Sequence, residues 1–164
     1  MHQFALWLAS TPPSVFLQEH NAWAIPAIQS VHIVGIGLVM GSVLMIDLRI
    51  LGLAWTDQTL GQTSGRFGPW LTGSLWLLLA TGLLMVVGEP VRELVSFSFW
   101  LKMALVAVGT VAAVAFQRAL RREEGGSMKT LAVLTFLVWI AVIFLGRLIA
   151  YDHVWGSWSP APRL

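Results

Sequence analysis

Four long apolar stretches follow one another along the chain, and each contains at most two charged side chains. They cover about residues 25–54, 70–88, 97–120 and 129–151. A helix that crosses a hydrocarbon core about 30 Å thick needs roughly 20 predominantly apolar residues. Glu89-Pro90 and Gly125-Gly126 separate neighbouring stretches with residues that stop helices. The pattern therefore predicts an all-α fold: an integral membrane four-helix bundle that forms one domain over 1–164.

The two ends of the chain lie outside these stretches. Residues 1–24 carry two short apolar groups, around Trp7 and around Phe16, which are typical of segments lying in the membrane interface. No basic residue precedes the first group, and Pro12-Pro13 interrupts any continuous apolar run. We therefore expect this segment to be retained and not removed as a signal peptide. Residues 152–164 are expected to form a short outer tail.

Composition supports the membrane assignment and excludes several other classes. Apolar residues make up 57% of the chain and charged residues 11%, whereas soluble domains carry about 25% charged residues. The lipid bilayer is therefore the first expected partner. A net charge of +2 does not indicate nucleic-acid binding. The absence of cysteine excludes disulfides, iron–sulfur clusters and thiolate metal ligands.

Loop charges predict the orientation. The basic residues gathered at one side of the predicted helices are Arg49, Arg66, Arg118, Arg121, Arg122 and Lys129. The positive-inside rule places this side in the cytoplasm and both termini outside. We therefore expect a multi-pass protein of a bacterial inner (cytoplasmic) membrane, with its termini in the periplasm.

Three ionisable side chains lie at a similar depth in three different predicted helices. His32, Lys102 and Arg147 each sit roughly 6–11 Å inside the outer surface, taking a rise of 1.5 Å per residue. Such groups are costly in a bilayer, and they usually face the interior and mark a functional site. Two cations favour an anionic ligand, and a neutral imidazole favours a hydrogen bond or a metal.

Haem b satisfies both demands, because its iron takes a histidine nitrogen and its propionates take Lys or Arg side chains. Gly35, one turn deeper than His32, would leave room for a flat ring, and a polar mouth would lie near the outer surface. The predicted cofactor-binding residues are His32, Lys102, Arg147, Gln29, Gly35 and Tyr151, with His32 as the metal ligand. No catalytic residue is identified.

The pattern leaves the second axial ligand of the iron open. The candidates are His20, His153, Met85, Met103 and Lys102, and a five-coordinate iron is equally admissible. A purely structural role also remains open for the cluster. Lysine and arginine near an interface can bury their methylene chains while their charged groups stay hydrated. A membrane histidine can hydrogen-bond another helix.

Two further features are expected to serve packing. Gly37 and Gly41 form a GxxxG pair, which lets helix backbones approach closely. Asp47, near the inner end of the first stretch, is expected to pair with a neighbouring helix or with the inner loop.

Several short motifs together resemble a known group of proteins. They are Ser30-Val31-His32-Ile33-Val34-Gly35, Asp47-Leu48-Arg49-Ile50-Leu51-Gly52, Phe99-Trp100-Leu101-Lys102-Met103 and Gly146-Arg147-Leu148-Ile149-Ala150-Tyr151. Over nearly the whole chain they resemble a family of small four-helix bacterial inner-membrane proteins without an assigned activity. More distantly, the pattern is similar to HemJ-type protoporphyrinogen oxidases and to the membrane domain of the CopD copper-resistance family.

The HemJ resemblance implies haem b bound through His32 and a functional role for Lys102. The chain departs from that family at Met45-Ile46-Asp47, where the family has an aromatic-rich stretch, and it has no histidine near Trp55. Haem binding is therefore the part of the resemblance that the residues support. The leading hypothesis is a haem b membrane protein, an oxidoreductase or electron carrier that links an outer-face substrate or periplasmic redox partner to quinone.

The principal alternative is a non-catalytic anchor subunit of a larger respiratory or periplasmic complex. The sequence leaves open whether the chain forms a homo-oligomer or joins such a complex. Porphyrinogen oxidation, copper handling and transport are favoured less. The outer face offers few clustered histidine and methionine ligands for copper. For transport, paired Gly or Pro interruptions near the midplane of corresponding helices would be expected, and the pattern lacks them.

Overall fold

The computed structural model describes residues 2–121 and 128–149, and the regular structure in both ranges is helical. Seven helices fall within these residues. They are α1 (His2–Ala9), α2 (Pro12–Glu19), α3 (Ala24–Leu51), α4 (Leu60–Gly88), α5 (Pro90–Leu94), α6 (Phe97–Arg121) and α7 (Met128–Ile149). Tyr151 and the predicted outer tail lie outside the described residues.

The ends of α3 and α4 follow from local sequence signals. At the end of α3, Gly52 adopts a left-handed conformation with φ 76°, which glycine tolerates and which stops the helix. The side chains of Thr59 and Gln62 then form a reciprocal capping box that starts α4. As a result α4 begins ten residues before the apolar stretch predicted from position 70, and it contains Pro69 in its interior.

Three of the helices within the described residues are long and apolar enough to cross a membrane: α3, α4 and Lys129–Arg147 of α7. Phe97–Ala112 of α6 is also apolar, and the apolar sequence continues through Ala113-Val114-Ala115-Phe116. The molecule is therefore an all-helical membrane protein with apolar surface available to lipid.

The long helices pack as antiparallel neighbours. α3 packs most extensively on α4 and also contacts α7, which packs on α6. The centre of this arrangement is a cluster of buried side chains from three helices, Val39, Val43, Leu71 and Trp139. A second cluster, Ile46, Ile50 and Ala132, joins α3 to α7 nearer the end at which α3 finishes.

The short helices α1, α2 and α5 gather at the opposite end, and we call them the cap. Ala5 of α1 is fully buried against Leu94 of α5 and Phe99 of α6. Ser14 of α2 is also fully buried, and its hydroxyl donates to the Val87 carbonyl near the end of α4 at 2.6 Å. The N-terminal segment therefore docks on the ends of α4 and α6, at the end of the molecule where His32 lies.

Candidate functional site

His32 lies on α3 and points its ring at α4. The ring is half-buried, and its Nδ1 is 2.7 Å from the Thr81 hydroxyl oxygen. Thr81 is buried, and its hydroxyl also lies 2.7 Å from the Leu77 carbonyl oxygen, one turn earlier on α4. The ring edge rests near Gly82, where a Cβ atom would be 3.8 Å from His32 Cε1. The imidazole is therefore held from the α4 side.

Lys102 lies on α6, half-buried, with its side chain against the backbone of α7. A Cβ atom at Gly146 would stand 3.7 Å from Lys102 Nζ and 3.8 Å from Cε. Its charge also acts electrostatically on His32 and on Glu93 of α5. Lys102 therefore contacts α7 from α6, and its charge acts on His32 of α3 and on Glu93 of the cap.

The remaining predicted site residues occupy different surroundings. Arg147 is exposed on α7 and directly follows Gly146, so its backbone lies at the level of Lys102. Gln29 is half-buried on α3, one turn before His32. Tyr151 lies outside the described residues. His32 and Lys102 are therefore brought into one neighbourhood, with Arg147 at its edge.

Gly35 does not leave a free slot beside His32. A Cβ atom there would be 2.9 Å from Leu78 Cδ2 and 3.3 Å from Leu78 Cγ. The space expected for a flat ring is filled by leucine side chains of α4. Gly35 instead allows α3 and α4 to pack closely one turn below the imidazole.

Two candidates for a second axial ligand lie in other surroundings. His20 Nδ1 is 2.8 Å from the Phe16 carbonyl oxygen, and its ring packs on Phe16 and Trp23. Met103 packs against the cluster that joins the cap to α6. His153 lies outside the described residues. Within the described part of the chain, no group of three or more His, Cys, Asp or Glu side chains could hold a bare metal ion.

Two expectations about packing find no support among the described residues. Among the described residues, Asp47 Oδ2 has no hydrogen-bond partner although the side chain is only 6% exposed, so the expected pairing is absent from that oxygen. Cβ atoms at Gly37 and Gly41 would meet nothing within 4 Å in the same part of the structure. This GxxxG pair therefore makes no close helix contact within the described chain.

Thr81 is the site residue that the sequence reasoning missed. It lies seven residues before the end of α4, and His32 lies eight residues after the start of α3. Because antiparallel neighbours place such positions at similar depth, the pairing could have been found by matching polar residues across the two helices. The second stretch was predicted from its apolar residues alone, and a threonine within it does not alter that pattern.

A shallow groove runs along α3 and α4 on the side of Leu77. It has a volume of about 310 Å³ and is lined by Leu38, Pro69, Trp70, Gly73, Ser74 and Leu77. Its lining contains none of the predicted site residues, and it is mostly apolar. The groove is therefore a surface that bilayer lipid can fill.

A match to a protein family covers most of the chain. A family model described as a family of unknown function, DUF6644, matches residues 22–152. The chain belongs to DUF6644. The DUF6644 match includes His32, Thr81, Lys102 and Arg147, and it begins after α1 and α2. No curated protein and no solved structure matches the chain.

Proposed function

We propose that this DUF6644 protein is a haem b protein of the bacterial inner membrane. It would carry electrons between a periplasmic partner or substrate and quinone. The proposal is carried by the position of His32 on α3 and Lys102 on α6, which lie at the capped end of the molecule and interact electrostatically. A neutral imidazole is an iron ligand, and a nearby ammonium suits a carboxylate.

The proposed topology has four spans with both termini in the periplasm. α6 has 25 residues, which at 1.5 Å per residue gives about 37 Å, enough to cross the hydrocarbon core if its later turns enter the inner interface. The cap begins the chain at the end of the molecule where α7 finishes, which supports a common side for the two termini. The basic residues near the opposite end support a cytoplasmic location for that end.

The residues fit haem b in their donors and charges. The His32 imidazole would ligate the iron, and Lys102 and Arg147 would neutralise the propionates. Bound haem would supply one-electron transfer at this place. Positive charge beside a haem favours its reduced form, so both cations would raise the reduction potential. Because leucines occupy the space at Gly35, the macrocycle is not proposed to lie between α3 and α4 there.

An absorption spectrum tests the proposal. The protein would be produced in cells supplied with a haem precursor and purified in detergent. We expect a Soret band in the wild type, its loss in His32→Ala, and its retention in His2→Ala, the control, which changes an exposed histidine of α1. A colourless wild type, or a His32→Ala variant with full haem content, would reject the proposal.

A redox titration tests the role of the cations. Lys102→Gln removes the positive charge that acts on His32 and keeps a long polar side chain. We expect this variant to bind haem with a lower midpoint potential than the wild type. Arg66→Gln, which changes an exposed residue near the start of α4, is the control and should leave the potential unchanged. An unchanged potential in Lys102→Gln would contradict the proposed role.

An anchor function is the second candidate, and the surface of the cap favours it. Several large aromatic side chains of α1 and α2 are strongly exposed, namely Phe4, Trp7 and Phe16, as is Trp23 just before α3. Contiguous exposed apolar surface marks contact with lipid or with another protein. A colourless wild type with these residues essential for assembly of a larger complex would favour the anchor over the haem protein.

A further inference from the structure

We infer that Thr81 is a positioning residue that holds neutral His32 with its proton on Nδ1, so that Nε2 presents its lone pair to a ligand. The inference rests on the proposed function for the identity of that ligand, haem iron. The ring orientation itself follows from hydrogen bonds within the chain.

The hydrogen-bond pattern around Thr81 fixes the direction of each bond. A hydroxyl group has a single hydrogen to donate, and a carbonyl oxygen can only accept. Thr81 Oγ1 lies 2.7 Å from the Leu77 carbonyl oxygen, so the hydroxyl hydrogen is donated there. The same Oγ1 lies 2.7 Å from His32 Nδ1, and it must accept at that contact. Nδ1 therefore carries a hydrogen and donates it to Thr81.

The position of Thr81 makes this bond a rigid one. Thr81 is only 6% exposed and lies in the interior of α4, 49 residues from His32 in the chain. Gly82, the next residue, brings the α4 backbone close to the edge of the ring. One side of the imidazole is thus fixed by a helix other than its own. The lone pair of neutral His32 is left on Nε2.

This arrangement is the one that metal-bound histidines use. A ligating imidazole usually donates its other ring N–H to a protein acceptor, which sets both the tautomer and the ring orientation. Here the acceptor is a hydroxyl that is itself oriented by a helix carbonyl. The chemical class of ligand is an electron-pair acceptor that takes one neutral imidazole, as a haem iron does.

Thr135 on α7 provides a matched control. It is buried to a similar extent, at 5% exposure, and its hydroxyl donates to the carbonyl four residues earlier, Leu131, at 2.8 Å. Thr81→Val and Thr135→Val therefore remove the same group from the same kind of helix bond. Only Thr81→Val removes a contact to His32.

The test is the tautomer of His32 in the protein without haem. The chain contains four histidines, and nitrogen-15 histidine labelling with subtraction of a His32→Gln spectrum identifies the His32 signals. We expect the Nδ1–H form in the wild type, in Thr81→Ser and in Thr135→Val. In Thr81→Val the majority of His32 should change to the Nε2–H form. Wild-type His32 in the Nε2–H form, or an unchanged tautomer in Thr81→Val, would overturn the inference.

A haem measurement then separates this inference from the proposed function. Loss of the protein acceptor that hydrogen-bonds to a metal-bound histidine typically weakens metal binding about 10–100-fold. We expect a loss of that size in Thr81→Val, recovery in Thr81→Ser, and no change in Thr135→Val. If the wild type is colourless yet His32 is in the Nδ1–H form, the haem proposal fails and the role of Thr81 stands. If haem binds while haem-free His32 is in the Nε2–H form, the role of Thr81 fails.

Discussion

The Lys102 side chain lies along the backbone of α7 at Gly146, with its amine 3.7 Å from the place where a Cβ atom would stand. This contact joins α6 to α7 beside the cap. Arg147 follows Gly146 directly, so the same contact places Lys102 beside the backbone of α7 at Arg147.

The size of residue 146 should control the packing of Lys102. Gly146→Ala adds a methyl group at an ordinary contact distance and improves helix propensity by about 1 kcal/mol, so its stability should be equal or higher. Gly146→Leu should crowd the lysine stem and destabilise by about 1–3 kcal/mol. Denaturant unfolding in micelles, followed by circular dichroism, measures both. Adding Lys102→Ala should relieve the cost in Gly146→Leu, and strictly additive losses would contradict the contact.

Gly35 and Gly37 form a natural pair for testing the interface between α3 and α4. Both are interior helix positions, so alanine brings the same gain in propensity at each. At Gly35 the new methyl group would meet Leu78 at 2.9 Å, whereas at Gly37 it would meet nothing within 4 Å. We expect Gly35→Ala to be less stable than Gly37→Ala by about 1 kcal/mol or more. Equal stabilities in the same unfolding assay would argue against this close packing.

Ser14 should hold α2 on the end of α4. Its fully buried hydroxyl donates to Val87, and Ser14→Ala leaves that carbonyl without this donor, at a cost of about 1 kcal/mol. Hydrogen exchange measured by mass spectrometry should become faster across residues 2–19 and stay unchanged in α3. Ser10→Ala, which removes an exposed local bond to the Trp7 carbonyl, is the control. Unchanged exchange in Ser14→Ala would show that other contacts fix the cap.

Asp47 should tolerate removal of its charge. An unpartnered buried carboxylate oxygen is unfavourable, whereas an amide of the same size is neutral. We expect Asp47→Asn to be as stable as the wild type or more stable, by up to about 2 kcal/mol. Asp57→Asn, at an exposed position between α3 and α4, should change stability by less than about 0.5 kcal/mol. A marked loss of stability in Asp47→Asn alone would reveal a partner for the carboxylate.

The helical architecture could be read from the sequence because its signals are strong and local. Apolar length predicted α3 and α7, and Glu89-Pro90 marked the end of α4. The start of α4 was missed because the capping box and Pro69 lie in a polar, glycine-rich region that apolar length does not register. Apolar length also predicted α6, which runs from Phe97 to Arg121.

The sequence indicates which candidate residues lie at a similar depth, but not which atoms they contact. Depth along the helices was enough to group His32 with Lys102, because rise per residue is nearly constant. The contacts depend on the rotation of each helix about its axis and on the size of its side chains. As a result Leu78 occupies the space at Gly35, and the Thr81 hydroxyl forms a hydrogen bond with the His32 ring. A single sequence carries no direct measure of rotation between two apolar helices.

The hydrogen bond from Ser14 to Val87 joins positions 73 residues apart in the chain. Translation proceeds from the N-terminus, so α1 and α2 leave the ribosome before the helix end that receives them has been synthesised. Their side chains therefore have no docking partner on α4 until that helix has been synthesised and inserted. Docking of the first two helices is therefore a late event in biogenesis, and an insertion defect in α4 would leave them unattached.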